Sequence, residues 1–261
     1  MESPGEEILG RLVSDRRDCL AALVTKPRTK QELTNQLPCS RSTVDRAITD
    51  LSDAQLVEYA GGKWRTTYVG ACTYRQYEAY SGRLCDIAEA APVLEALPDE
   101  TTMEDVFVIG SSVYETNPSV PDGTLDPMFA SVRDATRVRV VVPKVMIGLA
   151  DRFYRNVATG ETYALEVLSA THVLEQLREL EFERGTEAME DSNVSLYHGR
   201  IPFSFGFWIS DEMEVGVIVY TKTGIAGILV NDTDEAVDRA VTKYESVKVA
   251  AEPVPTRRES G

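Results

Sequence analysis

The sequence predicts a mixed chain, α+β in its first part and α/β in its second. An amino-terminal helix-turn-helix domain with a β-hairpin wing leads through a long linker helix to a carboxy-terminal α/β domain. Three observations predict this. Apolar residues recur at helical spacing between Ile8 and Leu51, with capping residues between the runs. A Gly-Gly pair then separates two short β-prone runs over 56–69. After Pro98 the period changes, and short strands alternate with helices. The expected division is 1–70, 71–97 for the linker helix, 98–250, and a frayed tail over 251–261.

In the first part, Ile8, Leu9 and Leu12, then Leu20, Leu23 and Val24, mark two helices, and Pro27 stops the second. Thr29-Lys30-Gln31-Glu32 fits a capping box and opens a short helix through Leu37. Ser40 caps a further helix from Arg41 to Ala54, which buries Val44, Ala47, Ile48 and Leu51. Its opposite face presents Arg41, Ser42, Asp45, Arg46 and Thr49. Two helices joined by a short break, the second with a polar start, form a helix-turn-helix pattern.

The residue types suit DNA. Arginine pairs with guanine through two bonds, while serine and threonine reach phosphates or base edges. Arg41, Ser42, Thr43 and Arg46 are the expected major-groove contacts. Gly61-Gly62 turns the hairpin that follows, and Lys63 and Arg65 near its tip are expected on backbone phosphate. The run "TKQEL…SRSTVDRAITDLSDAQLVEYAGGKWRTTYVG" resembles the winged helix-turn-helix of archaeal and bacterial regulators of the ArsR/MarR type. That resemblance implies double-stranded DNA as the partner. A winged helix that binds protein is the alternative.

Tyr77, Tyr80, Leu84, Ile87 and Ala91 follow steps of three and four residues, so 71–97 reads as one helix. Such a helix pairs two subunits or packs on its own domains. Beyond it, strands are expected at 105–110, 137–143, 163–168, 193–197, 203–210, 215–220 and 225–230. Helices are expected at 145–156, 172–180 and 233–246.

Strand-Gly-Ser at 108–112, "RVRVVVP" at 137–143, "IPFSFGFWISD" at 201–211, "GVIVY" at 216–220 and the run over 224–246 resemble the middle domain of the archaeal regulator family named for the methanogenesis regulator FilR. The resemblance implies a sensor that takes a small-molecule effector or mediates assembly. The layout is also similar to half of a phospholipase-D-like fold. That catalytic motif needs His-x-Lys and an Asp five residues on. Counted back from Asp211, those positions hold Ser204 and Gly206, so no imidazole nucleophile is present and the half is degenerate. No enzyme activity is expected.

Candidate ligand contacts are Ser111, Ser112 and Tyr114, read as lying at a strand's carboxyl end, together with Ser204. Phe203, Phe205 and Phe207 alternate onto one sheet face and read as core. His172 and His198 read as surface or satisfied residues, and no metal site is expected. Gly216 and Gly224-Ile225-Ala226-Gly227 form neither a GxGxxG nor a P-loop, so no cofactor is expected.

Composition sets the setting. The chain has 261 residues, 43% hydrophobic and 26% charged, which is globular and not disordered. No apolar run approaches the ~18 residues of a membrane span, and the first residues are too charged for a signal peptide. A cytoplasmic protein that does not enter membranes is expected. Four cysteines without a CxxC support neither a zinc cluster nor a disulfide scaffold.

The net charge of −15 is uneven. Residues 1–75 are near neutral, with basic excess over 25–46, and the acidic excess lies beyond them. Lysine is scarce beside arginine. An acidic, lysine-poor composition suits a salt-rich cytosol, where self-repulsion is screened within about 3 Å in molar salt. A homodimer is expected, to match two DNA half-sites.

Overall fold

The computed structural model describes residues 4–101, 103–117, 121–144, 146–159, 164–179 and 193–254. They fall into two compact units, Met1–Cys85 and Asp86–Gly261.

The first unit carries α1 (Pro4–Asp15), α2 (Arg17–Thr25), α3 (Lys30–Gln36), α4 (Arg41–Asp53), β1 (Val57–Ala60) and β2 (Lys63–Thr66). α5 (Tyr68–Leu94) begins in this unit and runs past its end. Its core gathers Leu20 and Leu23 of α2, Leu33 of α3, Val44, Ile48 and Leu51 of α4, and Leu56. Each such side chain contributes about 1.5–3 kcal/mol by leaving water.

β1 and β2 pair antiparallel, with Ala60 opposite Lys63. Gly61 and Gly62 sit at φ 59° and 80°, the two left-handed positions of a type I′ turn, which matches the strand twist. α5 starts earlier than its apolar stripe predicts and stops at Leu94. Thr67 Oγ1 accepts from the backbone N of Gly70 at 3.0 Å and so sets the start. A side chain at Gly70 would come within 2.0 Å of the Leu56 carbonyl, so glycine lets α5 leave the hairpin here.

The second unit is built on one sheet. Its strands are β3 (Ser112–Glu115), β4 (Arg137–Val142), β5 (Ala164–Ala170), β6 (Val194–Gly199), β7 (Gly206–Ser210), β8 (Glu214–Tyr220), β9 (Ile225–Asn231) and β10 (Glu252–Pro253). The order among the described residues is β10-β6-β5-β4-β7-β8-β9-β3. β4, β5 and β6 run parallel, and the remaining pairs are antiparallel. The helices are α6 (Asp126–Asp134), α7 (Ile147–Thr159), α8 (Thr171–Glu179) and α9 (Asp234–Lys248).

Each sheet face has its own core. Val141, Leu168, Phe205 and Phe207 pack with Ala240 and Tyr244 of α9. Val138, Val140, Trp208 and Ile218 pack with Met128, Phe129 and Val132 of α6. Phe203 stacks on Phe205 at 4.8 Å, as the alternation of the three phenylalanines requires. On the other face, Trp208 lies opposite Gly216 in the β7–β8 ladder. A Cβ on Gly216 would fall 1.9 Å from the indole, so the small residue makes room for the large one.

An ionic cluster sits beneath α9. Glu166 accepts from Arg137 and from the Tyr244 hydroxyl, each at 3.1 Å, and pairs with Lys248. Arg139, 8% exposed, reaches Glu212 at 3.0 Å.

Several expectations are corrected. Residues 105–110 form no strand. Asp105–Phe107 is a 3-10 turn, and the strand is Ser112–Glu115. Phe107 and Val108 of the apolar run are buried, and Asn231 Nδ2 donates to the carbonyls of Val106 and Ile109 at 3.3 and 2.8 Å, replacing the bonds of a ladder. Over 203–210 only Gly206–Ser210 pairs as a strand. α6 escaped the periodicity reading, because only Met128, Phe129 and Val132 mark a single short face.

Within the expected tail, residues 252–254 join the fold. Glu252 and Pro253 pair with His198 and Tyr197, and Val254 is buried. Pro253 fits because this strand forms the sheet edge. Val145, Tyr163, Leu180 and residues 255–261, each part of an expected element, lie outside the described residues.

Candidate nucleic-acid interface

Local chemistry aims α4. Thr29 and Glu32 complete the capping box of α3: Thr29 N donates to Glu32 Oε2 at 2.6 Å, and Glu32 N donates to Thr29 Oγ1 at 3.2 Å. Leu33 anchors α3 in the core, and Pro38-Cys39 forms the turn. Ser40 then accepts from Thr43 N at 3.2 Å and caps α4. With Val44, Ala47, Ile48 and Leu51 buried, Arg41, Ser42, Thr43, Arg46 and Thr49 are exposed.

The Ser42 and Thr43 hydroxyls lie 2.8 and 2.9 Å from Ser40 Oγ. Three hydroxyls therefore cluster at a helix amino terminus, where free backbone N–H groups and the dipole favour a phosphate.

Five cations of this unit are held by carboxylates. Lys30 pairs with Asp45 at 2.7 Å, Lys63 with Glu32 at 3.6 Å and Arg65 with Glu58 at 2.6 Å. Arg16 pairs with Asp50 at 2.9 Å and Arg17 with Glu78 at 2.7 Å. Among the described residues, Arg41 and Arg46 form no ion pair. The Lys30 ammonium holds the Asp45 carboxyl below its usual range. The Thr29 backbone bond, with Lys63 alongside, does the same for Glu32.

The hairpin is tied to the helices. Arg28 and Trp64 exchange backbone bonds at 2.9 and 2.8 Å, adding a bridge beside β2. Tyr59 packs against Trp64 with ring centroids 5.3 Å apart, yet is 62% exposed. Arg41, Ser42, Thr43, Arg46 and Arg65 are thus exposed on α4 and the hairpin, with Lys63 half-buried beside them.

The motif reading missed the acidic partners Glu32, Asp45 and Glu58. The signal for Glu58 was present. A two-residue turn at Gly61-Gly62 places residue 58 opposite 65.

The four expected ligand contacts have separate roles. Ser111 Oγ donates to the Val108 carbonyl at 2.8 Å, within its own turn. Ser112 and Tyr114 stand on the edge strand β3, beyond that turn and not at a strand's carboxyl end as the sequence suggested. Ser204 Oγ lies 2.6 Å from Thr101 Oγ1. The three positions of the phospholipase-like motif are filled by other work. A side chain at Gly206 would meet the Tyr220 hydroxyl at 2.7 Å. Asp211 accepts from the backbone N atoms of Thr136 and Arg137 at 3.0 and 2.8 Å, which pins the turn after β7.

His198 lies 3.5 Å from Thr171 and 4.0 Å from Glu252. Among the described residues no cluster of three or more His, Cys, Asp and Glu side chains is placed to hold a metal ion. Among them too, no helix is long and apolar enough to cross a membrane.

Comparison with known proteins adds two domain matches. Residues 7–89 match the model of the HVO_A0261 N-terminal domain. Residues 121–249 match the middle domain of the methanogenesis regulatory protein FilR1. No curated protein matches the chain.

Among solved structures, TrmBL2, an archaeal chromatin protein with a novel mode of DNA binding, is similar at 13% identity. The match covers 95% of this chain and 99% of that one, with a TM-score of 0.42. Nuc of Salmonella typhimurium, a phospholipase D family member, matches at 9% identity over 55% of this chain and 98% of its own, with a TM-score of 0.42. The methyltransferase SibL matches at 16% identity over 75% and 63%, with a TM-score of 0.27.

Proposed function

We propose that this chain is a transcription regulator that binds double-stranded DNA through α4 and the β1–β2 hairpin, a reading supported by its matches to the HVO_A0261 N-terminal domain and the FilR1 middle domain. Arg41, Ser42, Thr43 and Arg46 enter the major groove. Lys63 and Arg65 lie on flanking phosphate. The observation that carries this reading is the contrast between α4 and its surroundings. Arg41 and Arg46 stand exposed without an ion pair among the described residues, while five neighbouring cations are held by carboxylates. Two exposed arginines beside a capped helix start are a surface for a polyanion.

The second unit acts as the regulatory half, sensing a small molecule or mediating assembly. An effector shifts DNA binding only through different affinity for two arrangements of the protein. Two copies pair through α5, where Tyr80, Leu84 and Ile87 are exposed at steps of four and three residues. The pair then meets half-sites about one helical turn apart. The acidic, lysine-poor surface suits a salt-rich cytoplasm.

A mobility-shift titration on the DNA upstream of its own gene tests the reading. A discrete complex that survives excess unrelated DNA is expected. A protein that retains a partner protein after DNase treatment and shifts no DNA would favour an interaction module instead.

A further inference from the structure

A cavity of about 250 Å³ lies behind α4 in the first unit. Cys19 of α2 and Cys39 of the α3–α4 turn both line it, with Thr43, Val44 and Ala47 of α4 on the same wall. Cys19 is buried in the core, and Cys39, half-buried, packs against that core. The cavity therefore brings two thiols to one cleft beside the start of the helix that presents Arg41 and Arg46.

The two sulfurs differ in a useful way. Burial is the main cause that pushes the Cys19 thiol up to about 11. Cys19 stays protonated and inert until a partner sulfur arrives. Cys39 directly precedes Ser40, the cap of α4, so it sits on the turn that sets the start of that helix. Cys39 is the more accessible of the two thiols, and Cys19 lines the same cavity.

We propose that Cys39 and Cys19 form a thiol–disulfide exchange site that takes a low-molecular-weight disulfide and links the α3–α4 turn to α2. In the first step the Cys39 thiolate attacks the small disulfide. A Cys39–S–S–R bond forms, and one RS⁻ leaves. In the second step Cys19 attacks the Cys39 sulfur. The Cys19–Cys39 bond forms, the mixed bond breaks, and the Cys19 proton goes to the second departing thiolate. Two protein thiols are oxidised and one small disulfide is reduced to two thiols. A reducing cytosol keeps the pair open, so the link forms under oxidative load.

Closing the bond draws Cys39 toward the core and moves the turn that sets Ser40, Arg41 and Thr43. This consequence rests on the DNA-binding reading, while the exchange chemistry does not. The link is expected to weaken DNA binding.

The test uses the full chain with Cys72→Ser and Cys85→Ser, which removes the thiols outside the cavity. Cystamine is the probe. Intact mass is expected to fall by two hydrogens, and peptide mapping to join the Cys19 and Cys39 peptides. Affinity for the upstream DNA should drop by about tenfold or more, and dithiothreitol should restore both readouts. Cys19→Ser in the same background should stop at a cystamine adduct on Cys39, and Cys39→Ser should show neither adduct nor link.

An adduct on Cys39 that never resolves into the link, or no reaction at all, overturns the exchange site. A complete link with unchanged DNA affinity overturns its regulatory role. If the reduced protein binds no DNA, the DNA reading fails, and the mass measurement still decides the thiol pair.

Discussion

Arg65 and Glu58 face each other across the hairpin, with the guanidinium Nη2 2.6 Å and Nε 2.8 Å from one carboxylate oxygen. Both side chains are about half exposed, at 53% and 49%. A pair this open to water is worth ~0.2–1 kcal/mol. A DNA phosphate can replace the carboxylate with little loss. The same holds for Lys63 and Glu32, so the hairpin cations are held ready by partners that DNA displaces.

Removing such a partner should strengthen binding. Glu58→Gln is expected to raise affinity for every DNA sequence alike, by roughly 1.4- to fivefold, the range that ~0.2–1 kcal/mol allows. Fluorescence anisotropy on specific and unrelated duplexes checks this. Unchanged affinity on both would take Arg65 off the phosphate backbone.

Arg46 and Lys63 should behave differently from each other. Arg46→Ala is expected to cost about 1–3 kcal/mol on the specific site and to relax discrimination at one base position. Lys63→Ala should weaken all sequences evenly and reduce the salt slope by about one unit. A panel of single-base operator variants titrated over a salt series separates the two effects. Uniform weakening by Arg46→Ala would move it from base reading to phosphate contact.

In the second unit, Gly216→Ala is expected to destabilise the sheet by at least about 1–3 kcal/mol, because the new methyl group overlaps the Trp208 indole. Trp208→Leu in the same chain should recover part of the loss. Differential scanning calorimetry of the single and double variants measures the coupling. Additive losses would mean that the indole does not lie against Gly216.

Glu166 gives a pH prediction. Burial alone would raise its carboxyl, but bonds from Lys248, Arg137 and Tyr244 outweigh burial and hold it below the usual range. A lowered folded value means the stabilisation is complete above the unfolded value, near ~4.3. It is lost as pH falls through the folded value. Glu166→Gln leaves the cations of this cluster without their anion, so about 3 kcal/mol should be lost at neutral pH. The variant's stability should also fall less steeply on acidification, as denaturant melts between neutral pH and pH ~3 would register.

The helix-turn-helix was legible because its signals are local. Thr29 and Glu32 cap α3, Ser40 caps α4, and two glycines turn the hairpin, all within a few residues of what they control. Residues 105–110 misled because an apolar run reads as a strand in isolation. Asn231, more than a hundred residues away, supplies the bonds that make it a turn. The pairing of Trp208 with Gly216 follows from register, which composition does not carry. The cavity shared by Cys19 and Cys39 depends on how α2 packs beside the α3–α4 turn, and the nineteen intervening positions give no hint of it.

The central claim is that α4 reads DNA. Its most direct test is fluorescence anisotropy on the upstream duplex at the salt of the native cytosol, comparing the wild type with Arg41→Ala/Arg46→Ala. The reading predicts saturable, sequence-selective binding by the wild type and loss of that selectivity in the double variant, with both proteins folded by circular dichroism. Equal binding by the two proteins would contradict it.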